Sequence, residues 1–288
     1  MEHDPPVCRT TPKGSKAGAM LDTSRRVHLK QRLVKFWDSF EFCTDNRHEI
    51  AASLPFRERM ASFVPAGSRI LDVACGTTAN AQWLAPLGTY FGIDISQGLL
   101  RLVHQRDLLL ACADAESLPF GDSSFDAALL TFALEHSVDP VQVLKELCRV
   151  VRPKGRIIIL GPTWDLPFWY PSALRSRADK PLWRIRYSLS RLNGQLRGWL
   201  FGKLPFLIIE EPDALKGSSE FDCDAVYVTW SFEVIRQMRR FGCALWHWET
   251  DTRLLGNRTA VRLLKRLMLF LPPYRYSGST TLFVFENE

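Results

Sequence analysis

The stretch that decides the fold is Arg69-Ile70-Leu71-Asp72-Val73-Ala74, followed by Cys75-Gly76-Thr77-Thr78-Ala79-Asn80. Its first six residues read as a short apolar strand, and Gly76 with two threonines makes a turn into a helix near Asn80–Leu84. An acid at the strand end and a single glycine in the turn are not the pattern of a dinucleotide site. Such a site needs G-x-G-x-x-G so that a pyrophosphate can approach the helix N-terminus. An acid facing the ligand suits the cationic head of an amino acid better than a phosphate.

Working outward, strand and helix patterns alternate. Thr89–Ile93 is a second strand ending at Asp94, and Ser96 caps a helix reaching about Asp107. Leu108–Ala113 and Phe125–Thr131 are the third and fourth strands, Pro140–Val151 an amphipathic helix, and Arg156–Leu160 the fifth strand. Short apolar strands alternating with helices mean a parallel sheet covered on both faces. Regularity lapses for about sixty residues and resumes with a helix at Ser231–Phe241, a strand at Ala244–Glu249, a helix at Thr259–Leu269 and a strand at Thr280–Phe285. Upstream, Ser24–Phe42 reads as a helix capped near Ser24, and a second helical stretch from Arg47 to Phe63 is interrupted at Pro55. Five segments are expected: a flexible tail (1–23), an N-terminal helical cap (24–66), a core (67–161), an insertion (162–222) and a C-terminal part of the main fold (223–288).

Three acids step along successive strand ends: Asp72, Asp94 22 residues later, and Asp114 20 residues after that. An acid ending the second strand of such a sheet can accept hydrogen bonds from both ribose hydroxyls. The set resembles class I S-adenosyl-L-methionine (SAM)-dependent methyltransferases, nearest to their small-molecule branch of ubiquinone and menaquinone enzymes. The likeness covers Arg69 to Leu160. It is carried by the Asp72–Asn80 turn, Gly92-Ile93-Asp94-Ile95-Ser96, Asp114-Ala115-Glu116-Ser117-Leu118-Pro119-Phe120, Ser124-Phe125-Asp126, Leu134-Glu135-His136 and Arg152-Pro153-Lys154-Gly155. The chain departs from the family's Asp/Glu-x-Gly-x-Gly turn where Ala74 replaces the first glycine and Thr78 the last.

The resemblance implies a Rossmann-like, doubly wound α/β fold. Its seven-stranded sheet would be mostly parallel with the last strand antiparallel, with the helical cap in front and an insertion after strand five. It implies SAM as cofactor. Asp72, Ala74 and Gly76 would lie around the methionine part, Asp94 and Ile95 at the ribose, Asp114 and Ala115 at the adenine, and Thr131 beside them; no metal is called for. His136, after the fourth strand, is the candidate general base, because imidazole titrates near working pH. The alternative is that it packs or caps a helix.

The insertion opens with an aromatic cluster, Trp164, Phe168, Trp169 and Tyr170, just after strand five. Strand ends of that edge face the ligand crevice, so Trp164, Trp169 and Tyr170, with Tyr227 further on, are candidates for a wall around an apolar or ring-bearing, lipid-like acceptor. A small satellite core is the other reading.

Net charge is +6, but eight basic residues against one acid between Ser172 and Pro205 leave +7 there and −1 elsewhere. Charge confined to one segment argues against a nucleic-acid-coating surface, and no N-P-P-Y-type tetrapeptide follows the fourth strand. Leu182, Ile185, Leu189, Leu192, Leu196, Trp199 and Leu200 recur at helical spacing, with Arg184, Arg186, Arg191 and Arg197 off that stripe. This basic amphipathic helix over 182–202 has three open roles: a lid, peripheral membrane contact, or a partner surface. Seven scattered cysteines without a C-x-x-C pair favour a reducing, cytoplasmic setting. Oligomeric state is not legible. The functional rivals are a catalytically silent SAM-binding protein and an NAD(P)-dependent reductase, which lacks its glycines and a Tyr-x-x-x-Lys pair here.

Overall fold

Apolar runs bounded by glycines and acids become the strands of one sheet. The computed structural model describes residues 22–39, 54–103, 108–218, 222–250, 267 and 270–288. The strands are β1 (Ser68–Val73), β2 (Gly88–Asp94), β3 (Leu109–Cys112), β4 (Phe125–Thr131), β5 (Val151–Pro162), β6 (Cys243–Thr250) and β7 (Thr280–Asn287). Their order is β3-β2-β1-β4-β5-β7-β6. Strands β1 to β5 pair in parallel, and β7 is inserted antiparallel between β5 and β6. This is the Rossmann-like sheet implied by the sequence.

Side chains alternate across each strand and build two cores. On one face Leu71, Val73, Ile157, Ile159, Phe283 and Phe285 pack against α5 (Pro140–Val150) and α8 (Ser231–Arg240). On the other, Ile70, Ala127, Leu129, Ile158, Leu160 and Val284 meet Met60 of α2 (Arg57–Ser62) and Leu84 of α3 (Ala81–Leu84). A central strand covered on both faces must be apolar at every position, which is why Ile157–Leu160 shows no alternation.

Two boundaries differ from expectation. The N-cap of α1 (Thr23–Trp37) is Asp22, whose carboxylate accepts the Arg25 N–H at 2.9 Å. Ser24 already lies in the first turn and donates to Asp22. Arg152–Gly155 is part of β5 and not a turn before it: the register with β4 shifts there, with Lys154 at φ +66°. Ser96 does cap α4 (Gln97–Arg101), accepting the Leu99 N–H. The expected helix at 259–269, apart from residue 267, and the whole stretch from 40 to 53 lie outside the described residues.

After β5 come α6 (Arg175–Ala178) and the 21-residue α7 (Pro181–Phe201), closed by Gly202 in the left-handed conformation. Among the described residues no helix is long and apolar enough to cross a membrane.

Candidate functional site

The C-terminal ends of β1, β2 and β4 open onto one cleft, roofed by α1. The turn after β1 forms its floor. Ala74, Gly76 and Thr78 stand at φ +57°, +53° and +62°. The backbone of a glycine-rich turn is therefore kept although two of the three side chains are not glycine, each at a cost of about 1–2 kcal/mol. A Cβ built on Gly76 meets nothing within 4 Å, so the turn leaves open space above it for a ligand.

Asp94 ends β2 at the rim. One carboxylate oxygen accepts the Gly76 N–H at 2.9 Å and the other the Ser96 N–H at 2.7 Å. Burial raises its pKa and these two N–H groups oppose the rise. The lone pairs left on both oxygens suit a vicinal diol. Ile95, Asp114, Ala115 and Thr131 line the same cleft, as do Ala74 and Gly76. Thr131 accepts the Asn80 side-chain amide at 2.9 Å.

Asp72 is placed differently. Alternation along β1 sends it to the face of Ile70, away from Leu71 and Val73, so it lies beneath the turn and does not line the cleft. There it accepts the Tyr90 hydroxyl at 2.8 Å and the Asn80 amide at 3.4 Å. Burial pushes its carboxyl up to about 7 against those two hydrogen bonds.

His136 lines the same cleft, on the 3-10 turn Leu134–His136 that follows β4. Its Nδ1 lies 3.3 Å from Asp224 and its Nε2 3.8 Å from Glu135. Ligand atoms of Glu135, His136 and Asp222 fall within 4.8 Å of one another. Burial pushes Asp222 up to about 6, opposed by His136. The Asp222–Tyr227 segment is held here because the Glu135 carbonyl accepts the N–H groups of both Val226 and Tyr227 at 2.8 Å.

Three cleft residues carried no signal in the sequence. Lys30, on α1, donates to Asp114 at 2.7 Å and to Glu116; burial pulls its pKa down, and the two carboxylates more than restore it. Trp37 donates its indole N–H to Asp224 at 2.8 Å and stands edge-on to His136 at 6.2 Å. Phe132, at φ +50°, completes the apolar side.

The aromatic residues expected around the acceptor sit elsewhere. Trp164 and Tyr170 pack in a satellite core with Trp183 and Tyr187 of α7, and the Trp169 carbonyl accepts the Tyr187 hydroxyl. Tyr227 is fully buried, its hydroxyl donating to Glu233 at 2.7 Å. None of the four is among the residues lining the cleft.

Comparison with known proteins agrees with this geometry. Residues 71–159 match a family described as "Methyltransferase domain". A demethylmenaquinone methyltransferase of Mycobacterium sp. (strain KMS) is 43% identical over 94 residues, 32% of this chain and 41% of the relative. That of Geobacillus sp. (strain WCH70) is 30% identical over 144 residues, 46% of this chain and 61% of the relative. The chain thus spans less than two thirds of either. The fold resembles the Burkholderia thailandensis 1,6-didemethyltoxoflavin-N1-methyltransferase solved with S-adenosylhomocysteine (TM-score 0.53, 12% identity, 96% of this chain and 97% of that one). It also resembles an S-adenosylmethionine dependent methyltransferase from Mesorhizobium loti (TM-score 0.52, 17% identity, 82% and 97%). Residues 71–159 are accordingly similar to a methyltransferase domain, set in a fold shared with solved SAM-dependent methyltransferases.

Proposed function

We propose that this chain binds SAM and transfers its methyl group to a small, apolar, ring-bearing acceptor of the quinone kind. The observation that carries the reading is one cleft lined by Asp94, Asp114 and His136 together, with Ala74 and Gly76 of the left-handed turn in its wall. Asp94 suits the ribose hydroxyls, Asp114 with Ala115 the adenine, and Ala74, Gly76, Ile95 and Thr131 the walls between. SAM, when bound, supplies a sulfonium methyl that is intrinsically electrophilic.

What the protein contributes is position and proton handling. Trp37, Phe132 and Val138 give the cleft that holds His136 an apolar lining, which suits an aromatic ring better than a charged acceptor. Holding an acceptor in line with the methyl lowers the barrier by roughly 7–11 kcal/mol. Asp224 lies 3.3 Å from Nδ1 and Glu135 3.8 Å from Nε2, so carboxylates flank both nitrogens of the His136 ring. His136 then takes the proton that an acceptor hydroxyl or activated ring carbon must lose, a contribution of about 10²–10⁴-fold. The names of the matched relatives supply the acceptor class. The aromatic candidates of the insertion give way in this reading to Trp37 and Phe132.

Calorimetry with SAM, with NADH as control, tests the cofactor. Labelled-methyl transfer into demethylated naphthoquinones tests the acceptor. SAM binding without transfer to any acceptor in a cell extract would instead favour the silent binder.

A further inference from the structure

Helix α7 docks by its polar side. Arg191 and Gln195 are buried, and Arg191 donates to the Trp164 carbonyl at 2.8 Å. Gln195 donates to the Asp165 carbonyl at 2.7 Å and accepts the Tyr274 hydroxyl at 2.8 Å. Gly194 and Gly198 let Pro205 pack so close that a Cβ on either would come within 3.3 Å of it. Arg236 and Arg240 bind the carbonyls of Gly198 and Gly202. These contacts fix the rotation of the helix about its axis.

The opposite side is the apolar stripe. Leu182, Ile185, Leu189, Leu192, Leu196 and Trp199 are all exposed, Leu182 to 78% and Leu189 to 61%. The segment entering the Pro272–Tyr274 turn, tied to α7 by Tyr274, exposes Phe270 (85%) and Leu271 (52%) as well. An apolar stripe of this length, held outward by a buried polar network, marks an interaction surface.

Charge identifies what covers it. The helix carries four arginines and no acid, and Lys180 and Lys203 bracket it. Arg184, Arg186 and Arg197 are exposed. A second copy would bring the exposed arginines together with no carboxylate on the helix to pair them, whereas anionic headgroups complement all three.

We propose that α7 seats the protein on an anionic lipid bilayer, its leucine stripe in the headgroup–acyl boundary and its arginines on lipid phosphates. The helix lies in the interface and does not cross it. Its contacts with Trp164 and Asp165, just beyond the end of β5, put this surface at the edge of the sheet on which the cleft opens. The inference stands on α7 alone and is independent of the proposed methyl transfer.

Flotation of the full chain with phosphatidylcholine vesicles containing about a third phosphatidylglycerol, at low and high salt, tests it. Expected is co-flotation that weakens with salt and with pure phosphatidylcholine. Leu182→Glu with Leu189→Glu is expected to cut the floating fraction about tenfold or more, with an unchanged thermal midpoint because both side chains are exposed. Arg186→Glu with Arg197→Glu is expected to abolish the preference for the anionic vesicles. No flotation at low salt, or undiminished flotation of the leucine variant, overturns the proposal. A dimer in sedimentation that the leucine variant dissociates, without vesicle binding, overturns it in favour of a second copy.

Discussion

One carboxylate oxygen of Asp224 lies 2.8 Å from the indole nitrogen of Trp37 and 3.3 Å from Nδ1 of His136. Three segments remote in the chain thus meet at the proposed base. His136→Ala is expected to lower kcat by about 10²–10⁴-fold and to remove the fall in rate toward low pH that protonation of a base produces. Asp224→Asn should lower kcat less and leave SAM affinity unchanged, because Asp224 acts through the ring. Steady-state rates across pH and calorimetry with SAM check both.

Asp94→Ala removes an anion that already accepts two backbone N–H groups at the rim. Hydrogen bonds to a charged group are worth about 1.5–3 kcal/mol each. SAM affinity is expected to fall by about 30–100-fold, read by calorimetry, with a smaller loss for Asp94→Asn.

The turn after β1 gives a paired test. Ala74 holds φ +57°, a conformation costing a non-glycine residue about 1–2 kcal/mol. Ala74→Gly relieves it, less about 0.5–1 kcal/mol of backbone entropy, and is expected to stabilise the protein by about 0.5–1 kcal/mol. Gly76→Ala does the reverse, costing about 0.5–1 kcal/mol by the same balance and placing a methyl in the space left for the ligand. Urea denaturation and SAM titration of the two variants check the pair.

Asp72 ties stability to pH. Its folded pKa is raised from 3.8 to about 7, so the folded state keeps a proton that the unfolded chain has already lost. The group's contribution is fully present below about pH 4, is lost as pH rises toward 7, and then levels off. Asp72→Asn should flatten that part of the stability curve relative to the parent protein. Glu233, pushed up by burial to about 7, and Asp165 and Asp222, to about 6, keep a residual slope of the same sign. Denaturation midpoints of both proteins from pH 4 to 8 make the comparison.

Strands β1, β2 and β4 could be read to within a residue or two because strands buried on both faces leave apolar runs ended by Asp94, Thr131 and the glycines, and the short apolar run of β3 at the sheet edge was read equally well. The acids at the ends of β2 and β3 were legible for the same reason, since a strand end is where the chain meets the cleft. Asp72 was harder: its place one residue before the end of β1 leaves alternation to decide its side, and alternation sends it beneath the turn. Lys30, Trp37 and Asp224 could not be read at all. Their contacts join residues 84 to 187 positions apart, and no local pattern encodes such a pairing. For α7, periodicity revealed the stripe but not its direction. That depends on partners for Arg191 and Gln195, which come from residues 164, 165 and 274.

The bond between Trp37 and Asp224 also sets an order of events during synthesis. The first helix leaves the ribosome long before the residue that anchors it, and 187 positions must be made before the indole finds its acceptor. Closing so long a loop is entropically costly. The wall beside His136 thus rests on a pairing between distant parts of the chain, the kind of non-local contact that slows folding.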